Sequence, residues 1–157
     1  MKKTAIITAA GAILLIVADQ AVKWLAGAYL RQPAMFTSWF ELGYRENTGI
    51  AWSIQLPYPL LLALNFILIA LFFWFAFKYF DFKKRLTQLT VVLITAGACG
   101  NIIDRLAKGF VVDFISVWIW PVFNLADIFL TAGIFLILLF YAKIRRTIRD
   151  SGELINK

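Results

Sequence analysis

Four long apolar stretches constrain this 157-residue chain more than any other feature of its sequence. They cover about residues 4–25, 58–77, 86–105 and 122–142, and each approaches the ~20 residues with which a helix crosses ~30 Å of hydrocarbon. The chain is 62% hydrophobic and only 16% charged, whereas soluble domains are about 45–50% apolar and about 25% charged. A water-soluble globular protein and a disordered chain are both excluded. We therefore predict an all-α integral membrane protein with four transmembrane helices.

The distribution of basic residues predicts how these helices are oriented. Eleven of the 16 Lys and Arg residues lie on the side of the membrane that also holds both termini. Because cytoplasmic segments are enriched in Lys and Arg, we expect the N and C termini in the cytoplasm. Segments 26–57 and 106–121 are then extracytoplasmic, and residues 1–157 form a single membrane-embedded domain. The net charge of +7 points to membrane lipids as partners and not to nucleic acid, since no nucleic-acid-binding motif accompanies it.

The first apolar stretch has an alternative interpretation as a cleavable signal peptide. Lys2 and Lys3 precede it and the small residues 26–28 follow it, which is the order of a signal sequence. Asp19 and Lys23 fit the apolar core of such a signal poorly. We therefore expect this helix to be retained.

The longer extracytoplasmic segment carries the pattern of a small β-sheet between the first and second helices. Its runs 35–39 and 42–55 are rich in aromatic and β-branched residues and are interrupted by Gly43 and by 47–49, with the sequence NTG. We expect this sheet to lie on the membrane surface, where aromatic side chains suit the headgroup region; the alternative is that they only anchor the loop. The aromatic residues concerned are Trp39, Phe40, Tyr44, Trp52 and Tyr58, and Trp118 and Trp120 in the second segment.

Four aspartates lie in or beside the apolar stretches, where an ionisable side chain is costly and points to function. At ~1.5 Å per helical residue, Asp19, Asp104 and Asp127 each lie ~24–28 Å above the inner boundary. Asp113 lies in the segment just beyond the third helix. We therefore expect four carboxylates at one level, close to the outer surface of the membrane.

Two of these aspartates have a structural alternative because a cation is close in sequence. Asp19 can pair with Lys23 four residues later, and Asp104 can pair with its neighbour Arg105. Such ion pairs could simply hold helix ends together. Asp113 and Asp127 have no basic neighbour, which makes a purely structural role harder to accept for them.

Asparagines accompany the aspartates at helical spacing. Asn101 precedes Asp104 by three residues and Asn124 precedes Asp127 by three, so each pair is expected to share one helix face. An asparagine amide can donate to a carboxylate where water is scarce.

The absence of histidine from the sequence limits the chemistry that this site can perform. It excludes Ser-His and Cys-His nucleophile pairs and most zinc sites, and the single Cys99 is interpreted as a small buried hydrophobic residue. Two neighbouring carboxylates can share one proton, so that one accepts a proton from water while the other donates. This is aspartic peptidase chemistry, and we expect neither metal nor cofactor. An acidic Mg²⁺ or Ca²⁺ site is the alternative that a chelator would reveal.

Two further classes of membrane protein remain as alternatives to a peptidase at this point. A proton-coupled transporter would place its ionisable groups near the membrane midplane and between internal repeats, and this sequence has no visible repeat. A non-enzymatic scaffold could use the polar residues for helix association alone, but it leaves Asp113 and Asp127 unexplained.

Five short blocks resemble, in order and spacing, those of the lipoprotein signal peptidases (signal peptidase II), the aspartic peptidases of bacterial inner membranes. The blocks are 19–23 (DQAVK), 47–53 (NTGIAWS), 100–105 (GNIIDR), 111–114 (VVDF) and 123–127 (FNLAD). One such block alone is a weak signal, but five in register within a four-helix chain are specific. The resemblance covers essentially the whole chain.

The resemblance implies a function and a set of site residues. It implies that Asp113 and Asp127 are the catalytic pair. It implies further that the following residues support the site or contact substrate: Asp19, Lys23, Asn47, Gly49, Asn101, Asp104, Arg105, Asn124 and Ala126. The expected activity is removal of the signal peptide from prolipoproteins just before a diacylglyceryl-modified cysteine. We expect a monomer in the bacterial cytoplasmic membrane, with its active site at the extracytoplasmic face.

Overall fold

The computed structural model describes residues 2–50 and 54–146. Its elements in chain order are α1 (Lys2–Tyr29), β1 (Ala34–Thr37), β2 (Phe40–Asn47), α2 (Tyr58–Tyr79), α3 (Arg85–Lys108), β3 (Val111–Val117) and α4 (Leu125–Ile144). All four helices are long and apolar enough to cross a membrane. The predicted fold of four transmembrane helices with a small sheet is confirmed.

The ends of the helices differ from the predicted limits by a few residues. Helix α1 continues to Tyr29, beyond residue 25. Helix α3 ends where Gly109 adopts a left-handed conformation with φ 83°, which a glycine accepts without strain. Helix α4 begins at Leu125 and not at 122, since Phe123 still pairs with the sheet through Ile115.

The sheet has three antiparallel strands in the order β1-β2-β3. Strands β1 and β2 form the hairpin expected between the first two helices, although β2 ends at Asn47; residues 51–53 of the expected second strand lie outside the described residues. Strand β3 comes from the second outer segment, which the sequence indicated only as an interfacial loop. The pairing of β2 with β3 places Arg45 opposite Asp113 and Asn47 opposite Val111.

Apolar packing fixes the sheet to one end of the helix bundle. Val112 and Phe114 of β3 are buried in a cluster with Ala26 from the last turns of α1. Alternation along a strand sends Asp113, which lies between these two residues, to the opposite face. The apolar contacts below β3 thereby direct its carboxylate away from α1.

Helix α3 is the centre of the bundle, because α1, α2 and α4 all pack against it. Its contact with α4 requires small residues. A methyl group on Gly100 would lie 2.6 Å from an Asp19 carboxylate oxygen, and one on Gly97 would collide with the Ala126 carbonyl oxygen. These glycines allow the start of α4 to approach both α3 and the Asp19 side chain.

Candidate active site

Two carboxylates from different elements line one cavity at the end of the bundle that carries the sheet. Asp113 lies in β3 and Asp127 in the first turn of α4, and both face a cavity of about 270 Å³. Asn124 contacts both of them: its side-chain Nδ2 donates to Asp113 Oδ1 at 2.7 Å, and its backbone N–H donates to Asp127 Oδ2 at 3.1 Å. A single residue therefore positions the two acids relative to each other.

The position of Asn124 follows from the way helix α4 begins. Asn124 is the N-cap, and its side-chain oxygen accepts from the Asp127 backbone N–H at 3.0 Å. Together with the return contact from Asp127, this is a capping box, which satisfies two backbone donors at the helix start. The expectation that Asn124 and Asp127 share a helix face is therefore wrong, because Asn124 precedes the helix and caps it.

Each carboxylate has a second amide donor from another element. Asn47, the last residue of β2, donates to Asp113 Oδ2 at 2.8 Å. Asn101 of α3 donates to Asp127 Oδ1 at 2.8 Å, and does not pair with Asp104 as its spacing suggested. Within residues 2–50 and 54–146, neither acid of the pair forms a salt bridge. Neutral amides, and not cations, hold the pair.

The surroundings of Asp113 favour its protonated form. The residue is 3% exposed, and its pKa is raised from 3.8 to about 6, chiefly because it is buried away from water. The negative charge of Asp127 also acts to raise this pKa, while the hydrogen bonds from Asn47 and Asn124 act in the opposite direction. One carboxyl of the pair therefore keeps a proton to a pH well above the usual range.

A buried ion-pair network lies directly behind the two acids. The Lys23 ammonium lies 2.9 Å from Asp19 Oδ2 and 3.0 Å from Asp104 Oδ2, with all three side chains fully buried. The predicted pairing of Asp19 with Lys23 is confirmed. Lys23 also donates to Asn101 Oδ1 at 3.1 Å, which leaves the nitrogen of that amide to face Asp127.

The expected pairing of Asp104 with Arg105 is wrong. Adjacent residues on a helix point in different directions, and Asp104 pairs instead with Lys23 and with Lys108, whose Nζ lies 2.8 Å away. Arg105 turns toward the cavity and donates from Nη2 to the Gly49 carbonyl oxygen at 3.2 Å. It thereby holds the chain just after β2 beside the two acids.

The remaining candidate, Ala126, contributes its backbone. Its N–H donates to Asp19 Oδ1 at 2.9 Å, so that Asp19 joins α1 to the start of α4. The structure thus brings all eleven candidate residues into one connected network of hydrogen bonds and ion pairs.

Sequence reasoning missed several residues around this network. Tyr58 donates to the Arg105 carbonyl oxygen at 2.7 Å and so ties the start of α2 to the end of α3; its sequence position indicated only an interfacial aromatic residue. The cavity wall also contains six residues that are not among the candidate site residues, namely Ile50, Val111, Trp120, Pro121, Val122 and Phe123. These give the two acids a largely apolar surrounding. Among the described residues, no group of three or more Cys, Asp and Glu is arranged to hold a metal ion.

The sequence is similar to proteins of one known family. A family model described as signal peptidase (SPase) II matches residues 11–143. The lipoprotein signal peptidase of Chlorobium phaeobacteroides (strain BS1) is 38% identical over 150 residues, which cover 83% of this chain and 92% of that protein. The corresponding protein of Moorella thermoacetica is 34% identical over 130 residues, covering 80% and 86% of the two chains.

Solved structures resemble the fold as well. A bacterial membrane enzyme determined by the in meso method at 2.3 Å resolution superposes with a TM-score of 0.76 at 28% identity, over 87% of each chain. A second such enzyme, at 1.9 Å resolution, gives a TM-score of 0.69 at 27% identity over 84% of this chain and 90% of the other.

Proposed function

Because the chain belongs to the signal peptidase II family and is a peptidase of prolipoprotein signal peptides, we propose that Asp113 and Asp127 act as its aspartic catalytic pair. One observation carries this proposal. Two carboxylates on separate elements meet at one cavity, and Asn124 donates to both, from its side chain to Asp113 and from its backbone N–H to Asp127. An aspartic mechanism needs this arrangement and needs no histidine, which the chain lacks.

The two acids divide the chemistry between them. Asp127 lies at the N-terminus of α4, where the helix dipole favours negative charge, and it takes a proton from the water that attacks the scissile carbonyl. Asp113 holds its proton and donates a hydrogen bond to the oxygen on which negative charge develops. Collapse of the tetrahedral intermediate breaks the C–N bond, and a proton passes from the pair to the leaving amine.

The substrate must present its scissile bond at the level of this cavity. The cavity lies at the sheet end of the bundle, which the distribution of Lys and Arg assigns to the extracytoplasmic face of the bacterial cytoplasmic membrane. A cysteine whose diacylglyceryl chains stay in the outer leaflet would hold the peptide bond before it at this depth. We therefore propose cleavage just before a lipidated cysteine.

The lipid requirement is tested by comparing two forms of one precursor. We expect the purified enzyme to cleave a diacylglyceryl-modified prolipoprotein at least about tenfold faster than the unmodified form, since each buried methylene contributes ~0.8 kcal/mol to membrane anchoring. Mass spectrometry of the products gives both the rate and the cleavage site. Equal rates for the two forms would contradict lipid-dependent recognition and would leave the catalytic pair itself untouched.

The pH dependence of cleavage follows from the proton on Asp113. Because its pKa is raised to about 6, the pair loses its shared proton as the pH rises through this value. We expect kcat/KM, which reports the free enzyme, to fall on the alkaline side with an apparent pKa near 6 that belongs to the pair. The measurement is the cleavage rate of a lipidated precursor across the pH range in detergent.

A variant of Asn47 tests whether this alkaline limb reports the proton on Asp113. Its amide stabilises the ionised form of Asp113 and so lowers the pKa. Asn47→Ala should therefore move the alkaline limb to higher pH, whatever it does to the maximal rate. Asn65→Ala is the matched control, since among residues 2–50 and 54–146 that amide bonds only to the Leu61 carbonyl of its own helix. An alkaline limb that stays in place in Asn47→Ala would argue against Asp113 as the proton donor.

A further inference from the structure

The end of the bundle opposite the sheet concentrates positive charge that the proposed peptidase chemistry does not use. Segment 78–85 contains four Lys and Arg residues and one carboxylate, Asp81, and segment 143–146 contains three more cations. We refer to these two segments as the basic end. Seven cations face one carboxylate there, so the local charge is strongly positive.

Backbone hydrogen bonds hold the two segments of the basic end together. The Asp81 N–H donates to the Ile144 carbonyl oxygen at 3.0 Å, and the Arg146 N–H donates to the Tyr79 carbonyl oxygen at 2.8 Å. Below this contact, Phe80 and Ile144 are fully buried in one apolar cluster. Cations from the α2–α3 connection and from the end of α4 are therefore presented on one fixed surface.

The charge of this surface is not neutralised from within. Asp81 accepts from the Lys83 backbone N–H at 3.0 Å and lies 3.9 Å from the Lys84 ammonium. Lys84 itself donates to the Arg145 carbonyl oxygen at 2.8 Å. The side chains of Lys83 and Arg85 are exposed and make no hydrogen bond or ion pair with the described part of the chain. They are free to meet an anion from outside.

Aromatic rings place part of this charge at the depth of lipid headgroups. The Lys78 ammonium lies 5.1 Å from the centre of the Trp74 ring, and the Lys143 ammonium lies 5.2 Å from that of Phe140. Cations over ring faces, with their stems along apolar surface, are typical of the membrane interface. Directly next to them the helices present bare apolar surface, with Phe77 61% exposed on α2.

We propose that the basic end is a binding site for an anionic phospholipid, whose phosphodiester contacts the exposed cations and whose acyl chains lie along α2 and α4. An anionic phospholipid matches two chemical features of this surface. Its phosphate matches the clustered cations, and its acyl chains match the adjoining exposed apolar side chains, such as Phe77 and Leu138. The proposal rests on the four-helix fold and is independent of the catalytic pair.

The test compares lipids that differ only in headgroup charge. The detergent-purified protein is titrated with dioleoylphosphatidylglycerol or dioleoylphosphatidylcholine, and native mass spectrometry measures the fraction bound. We expect clear preference for the anionic lipid. Lys83→Gln with Arg85→Gln should weaken its binding by about fivefold per charge removed and leave the zwitterionic lipid unaffected. Neither side chain takes part in the contact between the two segments, so folding should be unchanged.

A matched control removes two cations from the other end. Arg31 and Arg45 are exposed near the sheet, and Arg31→Gln with Arg45→Gln lowers the net charge by the same amount. We expect this variant to retain the affinity of the parent. Equal weakening in both double variants, or no preference for phosphatidylglycerol in the parent, would overturn the proposal. Competition by glycerol 3-phosphate, which lacks acyl chains, would also overturn it, because the surface would then bind phosphate without lipid.

Discussion

Asp113→Asn is expected to lower kcat/KM for prolipoprotein cleavage by about a hundredfold to ten-thousandfold, since a positioned proton donor or acceptor contributes ~10²–10⁴ to the rate. The substitution keeps the size of the side chain and removes its ability to give up a proton. Asn47 and Asn124 each donate to one oxygen of the present carboxylate, so one of these donors would meet the new NH₂ group. The unfolding temperature of the variant tells this structural change from the loss of the reaction.

Asp127→Asn is expected to have an equally large effect for the opposite reason, since an amide cannot accept a proton from water. The double variant should be no slower than either single one, because residues that act as a unit are not additive. The assay is single-turnover cleavage of a lipidated precursor at fixed enzyme concentration. Rates within tenfold of the parent in either single variant would remove the assignment of the pair.

Asp81→Asn is the matched control for both substitutions. It makes the same chemical change at the opposite end of the bundle, where the Asp81 carboxylate accepts from the Lys83 backbone N–H and lies 3.9 Å from the Lys84 ammonium. Its activity should equal that of the parent. Thermal unfolding of all variants, monitored by tryptophan fluorescence, shows whether a variant is inactive because the reaction is impaired or because the protein is unfolded.

Lys23→Met is expected to have the largest effect on stability. Lys23 is 1% exposed and is the cation between two fully buried carboxylates, Asp19 and Asp104. Breaking a buried ion pair by removing one partner costs about 3–5 kcal/mol, because the other charge is left without compensation. For a chain of this size such a loss corresponds to a fall of about 6–20 °C in Tm.

Lys108→Met is a control that acts on the same carboxylate. Lys108 lies 2.8 Å from Asp104, but its side chain is 36% exposed, and an ion pair open to solvent contributes only about 0–1 kcal/mol. We expect its Tm to stay within about 3 °C of the parent. If Lys23→Met were as stable as Lys108→Met, the central position of Lys23 in the network would be refuted. Changing Asp19 and Asp104 to Asn together with Lys23→Met should recover part of the loss.

The depth of the site in the membrane could be predicted from the sequence because the rise per residue of a helix is constant. A rise of ~1.5 Å per residue is enough to bring Asp19, Asp104 and Asp127 to one height without knowledge of any contact. The same argument says nothing about which side chains face each other around the helix. For that reason the sequence predicts an ion pair between Arg105 and Asp104, whereas in the structure Arg105 donates to the Gly49 carbonyl oxygen.

The third strand and the cap of α4 could not be foreseen in the same way. Strand β3 is defined by pairing with β2, which lies more than sixty residues earlier in the chain, and its short apolar run does not by itself distinguish a strand from an interfacial loop. The apolar residues before Asn124 favour its placement on a helix face. In the structure, the pairing of Phe123 with Ile115 and the cap formed by Asn124 keep this segment out of the helix.

The oxygen and the nitrogen of the Asn124 side-chain amide both make contacts, and this restricts which residues can replace Asn124. Aspartate, serine and threonine start helices as well as asparagine does, yet here the oxygen caps α4 while the nitrogen reaches Asp113. Aspartate would bring a further negative charge against the pair, and a hydroxyl is too short to serve both partners. Most proteins accept several residues at a helix start, but here the contact with Asp113, and not the stability of the helix alone, restricts the residue.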